Sequence, residues 1–226
     1  MPTFVVRVWV PDRPGALGAV ASRIGAVRGD LIGIDILERG AGRAIDEIVV
    51  ELPDESLVPL LVAEISQVDG VDVEDVRAAT PTVIDPRLDA LETAAALVGQ
   101  TTVGDLLDDL ARRAGRDFSA DWAAVVDVES PSPVVSVGPT PPAAWLGAFV
   151  AGSRVSVAPN TGDTGPDDVA WAELGAAALV IVLGRRGRPF RARERRQLAA
   201  VARIVDQRWV ELVSRTARMV HPSAAS

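Results

Sequence analysis

The chain reads as an α+β protein of two domains, the first a ferredoxin-like βαββαβ unit and the second an antiparallel sheet with packed helices. Three observations predict this. Apolar residues alternate in Phe4, Val6, Val8 and Val10, then recur three or four apart in Leu17, Val20, Ile24 and Val27. The switch between strand and helix periods continues to residue 79 and resumes, in a different order, beyond residue 87. Between the two stretches, Thr80-Pro81-Thr82-Val83-Ile84-Asp85-Pro86 holds prolines at both ends, which suits a connector better than a helix or a central strand. The 226 residues fit two modest domains of about 100–150 residues each.

In the first domain a strand, Phe4 to Val10, leads into Pro11-Asp12-Arg13-Pro14-Gly15-Ala16-Leu17. Pro14 and Gly15 permit a sharp turn, and the helix that follows, Ala16 to Arg28, opens with backbone amides that lack acceptors. Their partial positive charge suits a carboxylate or another small anion. Arg28-Gly29-Asp30 is expected to close this helix with Gly29 as its C-cap. Strands Leu31 to Glu38 and Arg43 to Leu52 flank the turn Arg39-Gly40-Ala41-Gly42. A second helix from Asp54 or Glu55 turns Leu57, Leu61, Ile65 and Val68 inward, Asp69-Gly70 ends it, and Val71 to Ala78 completes the unit.

The second domain is expected to begin with a helix, Leu88 to Val98, that places Leu88, Leu91, Ala95 and Val98 on one side. Thr101 or Thr102 can cap the next, Val103 to Ala114, burying Val103, Leu106, Leu107 and Leu110 while Asp105, Asp108 and Asp109 face water. Trp122 to Val128 and Val134 to Val137 read as strands around the turn Pro131-Ser132-Pro133. A helix follows, Ala143 to Ala151. Beyond a glycine-, proline- and aspartate-rich loop, Pro159 to Asp168, come strands Val169 to Leu174 and Ala177 to Leu183. The last helix spaces Leu198, Val201, Val205, Trp209 and Leu212 three or four apart.

Residues 3–79 resemble an ACT domain, on the loop Asp12-Arg13-Pro14-Gly15-Ala16-Leu17, on Gly29-Asp30-Leu31-Ile32-Gly33-Ile34-Asp35 and on the order of elements. The resemblance implies a homodimer with joined sheets and a small-molecule effector, an amino acid above all. The effector would lie between Asp12, Pro14, Gly15, Ala16 and Leu17 of one subunit and Leu31, Ile32, Gly33 and Ile34 of its neighbour. Many members carry an Asn at the start of the second strand; this chain has Leu31, with Asp30 and Asp35 as nearby polar candidates. Residues 88–215 resemble a GAF domain, most clearly over Ala176 to Phe190, where a final strand, a basic glycine turn, a Pro-Phe pair and an amphipathic helix follow one another. That resemblance implies a small-ligand sensor or a dimerisation module. The stretch 80–87 is expected as a linker and 216–226 as a flexible tail.

Composition narrows the chemistry. No cysteine is present, which removes disulfides, thiolate metal sites and cysteine nucleophiles. The only histidine, His221, lies in the polar stretch near residue 226, so neither a histidine base nor a haem ligand is expected. The acidic pairs Asp46-Glu47, Asp54-Glu55, Asp108-Asp109 and Asp167-Asp168 are expected on solvated faces, because sequence neighbours diverge. Asp163, Asp167 and Asp168 match no calcium-loop spacing, and no metal or other cofactor is expected. Gly15, Gly18 and Gly25 lack the parallel crossover of a dinucleotide site, and without lysine there is no phosphate loop.

The net charge of −8 argues against a general nucleic-acid binder. Acids exceed arginines 28 to 12 through Gly184, but arginines lead 11 to 3 from Arg185 onward. The segment Arg185 to Arg196 is therefore either a solvated turn or a surface for phosphates or RNA. No apolar run reaches the roughly 18–20 residues of a membrane span, and Met1-Pro2-Thr3 opens no signal peptide, so a cytoplasmic protein is expected. The reading that follows is a non-enzymatic regulator that senses an amino acid or similar small carboxylate. The alternative is a structural adaptor that docks a protein partner through its C-terminal domain.

Overall fold

The structure, a computed structural model, describes residues 1–79, 86–130, 132–155 and 166–220. It divides into two compact units, Met1–Asp89 and Ala90–Ser226, each with an antiparallel sheet. The expected turn at Pro131, most of the linker and of the loop Pro159 to Asp168, and His221 lie outside the described residues.

The first unit runs β1 (Thr3–Pro11), α1 (Ala16–Ala26), β2 (Asp30–Gly40), β3 (Arg43–Glu51), a 3-10 turn Glu55–Leu57, α2 (Val58–Ile65) and β4 (Asp72–Ala78). Its strands order as β2-β3-β1-β4, so β1 and β3 are central and β2 is an edge. Alternation along the strands divides the sheet. Phe4, Val6, Val8, Val10, Ile48 and Val50 join Val20, Ile24 and Val27 of the first helical segment and Leu61 and Ile65 of α2 in one core. Leu17, Leu57 and Val68 pack at its margin, so both helices bury the faces read from their spacing. The opposite face of the sheet carries Arg7 and Glu47.

The end of α1 differs from expectation. The left-handed residue is Arg28, φ 61°, and not Gly29. Gly29 is needed for a close approach: a Cβ there would sit 2.9 Å from Ile24 Cγ2 and 3.2 Å from Leu52 Cδ2. Ala41 and Gly42, both at positive φ, form the two-residue connection between β2 and β3.

The second unit holds α4 (Val103–Asp117), β5 (Trp122–Asp127), β6 (Pro133–Val137), α5 (Ala143–Val155), β7 (Val169–Leu174), β8 (Leu179–Gly184) and α6 (Ala192–Val220), with strands ordered β6-β5-β8-β7. Helix α3 (Pro86–Gly99) leads into it. Leu106, Leu110, Leu198 and Val205 pack with Val125 and Ile181 on one face of the sheet, and Leu146 and Val150 pack with Val126 and Val182 on the other. Thr102 caps α4, its Oγ1 accepting from the Asp105 amide at 3.1 Å and donating to the Asp105 carboxylate at 2.6 Å.

Two helix faces depart from the sequence reading. Leu88, Leu91, Ala95 and Val98 of α3 are exposed, and among its described side chains the buried ones are Thr93 and Leu97. Asp109 does not face water: it is buried and takes Arg113 Nε at 2.7 Å and Gln100 Nε2 at 3.0 Å.

Candidate functional site

The site expected from the sequence lies at one end of the first unit's sheet. There β1 ends at Pro11 and the chain crosses to α1 through Asp12, Arg13, Pro14 and Gly15, all four exposed. The Asp12 amide donates to the Gly42 carbonyl at 2.9 Å, which ties the crossing to the β2–β3 turn. Gly15 adopts φ +87°, and a Cβ built there would meet nothing within 4 Å. The crossing therefore borders open space. No side chain caps α1, and its first turn has no acidic residue, so its positive end is uncompensated. Ala16 is buried beneath the crossing and Leu17 is half-buried.

Strand β2 forms the adjoining edge. Leu31, Ile32 and Gly33 are half-buried, and Ile34 is 43% exposed. Leu31 packs at the margin of the core, so its side chain is structural. Within one subunit the crossing continues from β1, which β3 separates from β2.

The polar residue of this region that sequence reasoning missed is Asp46, on β3. It is 1% exposed, which overturns the expectation of a solvated Asp46-Glu47 face. Asp46 stands opposite Val8 of β1 and Ile36 of β2, on the core side of the sheet. Its Oδ1 has no hydrogen-bond partner. Burial pushes the carboxyl above its ordinary value of 3.8, Arg39 opposes this, and Asp12 and Asp35 reinforce it. The hint in the sequence was an Asp at the same strand parity as Ala44, Ile48 and Val50.

Glu47 points the other way and is equally unlike a solvated acid. It accepts from Arg7 Nη2 at 2.8 Å and from Arg77 Nη1 at 2.9 Å, and Arg7 is fully buried. Burial alone would raise the Glu47 carboxyl, but Arg77 and Arg7 outweigh it and hold it at about 2.

A family model described as the ACT domain matches residues 4–70. Those residues are an ACT domain. The expected crossing and edge strand fall within its match, which ends before β4 and leaves the second unit untouched. No curated protein matches the chain. Among solved structures, the chain is similar to the GAF domain of an Acinetobacter phosphoenolpyruvate-protein phosphotransferase, at 11% identity and TM-score 0.40, over 57% of this chain and 95% of that one. It is also similar to free methionine-R-sulfoxide reductase from Neisseria meningitidis, at 14% identity and TM-score 0.40, over 61% of this chain and 95% of that one. Formyltetrahydrofolate deformylase from Pseudomonas putida is similar at 14% identity and TM-score 0.28, over 42% of this chain and 38% of that one.

The arginine segment of the second unit is partly internal: Arg186, Gly187 and Arg196 are exposed, whereas two of its guanidiniums are buried. Arg185 is buried and donates to the carbonyls of Phe118, Arg188 and Pro189, pairs with Glu194 at 2.7 Å and lies over the Phe190 ring. Arg195, also buried, donates to the carbonyls of Phe190 and Val169. These two guanidiniums are consumed by the fold. Among the described residues, no group of three or more His, Cys, Asp or Glu could hold a metal ion, and no helix is long and apolar enough to cross a membrane.

Proposed function

We propose that the chain is a non-enzymatic regulatory protein whose ACT domain binds an amino acid or similar small carboxylate. The observation that carries this reading is the uncapped start of α1, reached through the exposed crossing Asp12 to Gly15 with no acidic group in the first turn. The long edge strand β2, half-exposed and apolar at Leu31, Ile32 and Ile34, supports a homodimer in which two such edges pair. The effector would then touch Asp12, Pro14, Gly15, Ala16 and Leu17 of one subunit and Leu31 to Ile34 of the other. It would act by binding two dimer arrangements unequally, and the second unit would read out the shift.

A second reading has an observation of its own. The stripe Leu88, Leu91, Ala95 and Val98 on α3 is exposed and apolar, as a structural adaptor that docks a protein partner would need. Thermal unfolding of the full chain against the twenty amino acids at millimolar concentration separates the two. A ligand at 100 times its Kd stabilises the native state by about 2.7 kcal/mol, so a selective rise in Tm is expected. A flat response to all twenty overturns the sensing reading in favour of the adaptor.

A further inference from the structure

The dipeptide that closes the second helical segment carries chemistry that neither the fold nor effector binding uses. Asp69 is the only aspartate of the chain followed by glycine; every other aspartate precedes a residue with a side chain, and the single asparagine, Asn160, precedes Thr161. An aspartate carboxyl lies within reach of the next residue's amide nitrogen, and the two can close a five-membered ring without any other reactant. Glycine obstructs that attack least, because it has no Cβ.

Both reacting groups are accessible in the turn between α2 and β4. Asp69 and Gly70 are exposed, and the Asp69 side chain is 94% exposed. Among the described residues no group accepts a hydrogen bond from the Gly70 amide, so no protein contact holds its nitrogen back. Arg13 Nη2 meets Asp69 Oδ2 at 3.2 Å, but that guanidinium is itself 58% exposed, and so open a pair is too weak to block the reaction.

The same turn is closely fitted to the start of the crossing. Gly70 adopts φ +75°, and a Cβ there would sit 2.8 Å from Pro11 Cγ. Its carbonyl accepts from Arg43 Nη2 at 3.0 Å, and the Val71 amide donates to the Val68 carbonyl across the turn at 3.0 Å. Two contacts therefore join this turn to the crossing: the Arg13–Asp69 pair and the packing of Gly70 on Pro11.

We propose that Asp69 is a site of spontaneous backbone isomerisation, and that the product loosens the crossing Asp12 to Gly15. The Gly70 nitrogen forms a bond to Asp69 Cγ, and the protonated carboxyl gives up its hydroxyl, which leaves as water with the amide proton. Water then adds to one of the two carbonyls of the cyclic imide. Opening at the side-chain carbonyl restores aspartate. Opening at the main-chain carbonyl leaves isoaspartate, with the backbone now passing through Cβ and Cγ and the free carboxylate on Cα. One water leaves and one enters, so mass is unchanged. The extra main-chain carbon enters a turn already pressed on Pro11, and the carboxylate is withdrawn from Arg13, so both contacts with the crossing are disturbed together. The site is independent of what the ACT domain binds.

The test ages the full chain and the variant Asp69→Glu for weeks at physiological temperature and neutral pH. Glutamate keeps the charge beside Arg13 but would need a six-membered ring. Digestion with a protease that cuts before aspartate and not before isoaspartate reads each site. Wild type should lose the cut between Val68 and Asp69 about tenfold faster than the cuts before Asp72 and Asp75, whose next residues are β-branched valines. Isoaspartate-specific enzymatic methylation should label aged wild type and fall to background in aged Asp69→Glu. Hydrogen exchange at the Asp12, Arg13, Gly15 and Ala16 amides should be severalfold faster in aged than in fresh wild type, and unchanged on ageing in Asp69→Glu. If the cut before Asp69 persists, or the three cuts fade equally, the site is overturned. If isoaspartate accumulates at Asp69 while exchange in the crossing stays as in fresh protein, or Asp69→Glu loosens equally on ageing, the effect on the crossing is overturned.

Discussion

Adjacent carboxylates on β3 show how side-chain environment decides what an acid does. Glu47 gains from its charge, because Arg7 and Arg77 hold its carboxyl near 2 against an ordinary 4.5. Its contribution to stability is complete above 4.5 and is lost as the pH falls toward 2. Asp46 is displaced the other way, so its contribution is complete below 3.8 and is lost as the pH rises through its raised value. Amide exchange in β1 and β3 across about pH 3 to 7 should separate them. The wild-type advantage over Glu47→Gln should shrink as pH falls, whereas Asp46→Asn should gain on wild type as pH rises. Removing Arg7 leaves Glu47 half-compensated in a buried setting and should cost on the order of 3–5 kcal/mol. The identities of both acids were in plain view in the sequence. Their opposite roles were not, because they depend on Arg7 and Arg77, which lie 40 and 30 positions from Glu47.

The helices and turns were legible to different degrees, and packing explains why. Local spacing located α1, α2 and α4 and chose their buried apolar residues correctly, since each has one apolar stripe to hide, but it left Asp109 of α4 on the wrong side. It misjudged α3, where Ala94 and Ala96 blur the contrast between faces and an exposed stripe is as apolar as the buried one. Leu97→Ala should therefore cost about 2–5 kcal/mol, while Leu91→Ala should change stability by less than about 0.5 kcal/mol, both measured by denaturant unfolding. Glycine positions follow the same logic. Gly29→Ala drives a methyl into Ile24 and Leu52 and should destabilise by about 1–3 kcal/mol. Gly15→Ala meets no neighbour, so its cost comes from its positive φ, roughly 1 kcal/mol, and its larger effect should appear in effector binding.

At the scale of the whole molecule, each unit solves its packing separately. The first places helices against one face of its sheet, and the second covers both faces of its own. Edge strand β2 is where the proposed dimer would join. Ile34→Lys should lower the dimer population in sedimentation velocity and weaken amino-acid binding together, if the site is completed across two subunits. In the second unit, Arg185→Ala should destabilise by about 3–5 kcal/mol, because it strips three carbonyls and Glu194 of their shared donor.

Read alone, the sequence determined the order of strands and helices, the apolar faces of most helices, the crossing Asp12 to Leu17 and the absence of cysteine chemistry. Each of these is written in neighbours a few residues apart or in composition. Tertiary structure alone decided that Arg28 rather than Gly29 carries the left-handed backbone, that Arg185 and Arg195 are internal staples, and that Asp46 is buried with its Oδ1 unpartnered. Those outcomes turn on which strand lies beside which, and on the carbonyls and carboxylates that pairing brings within reach of a side chain distant in the chain.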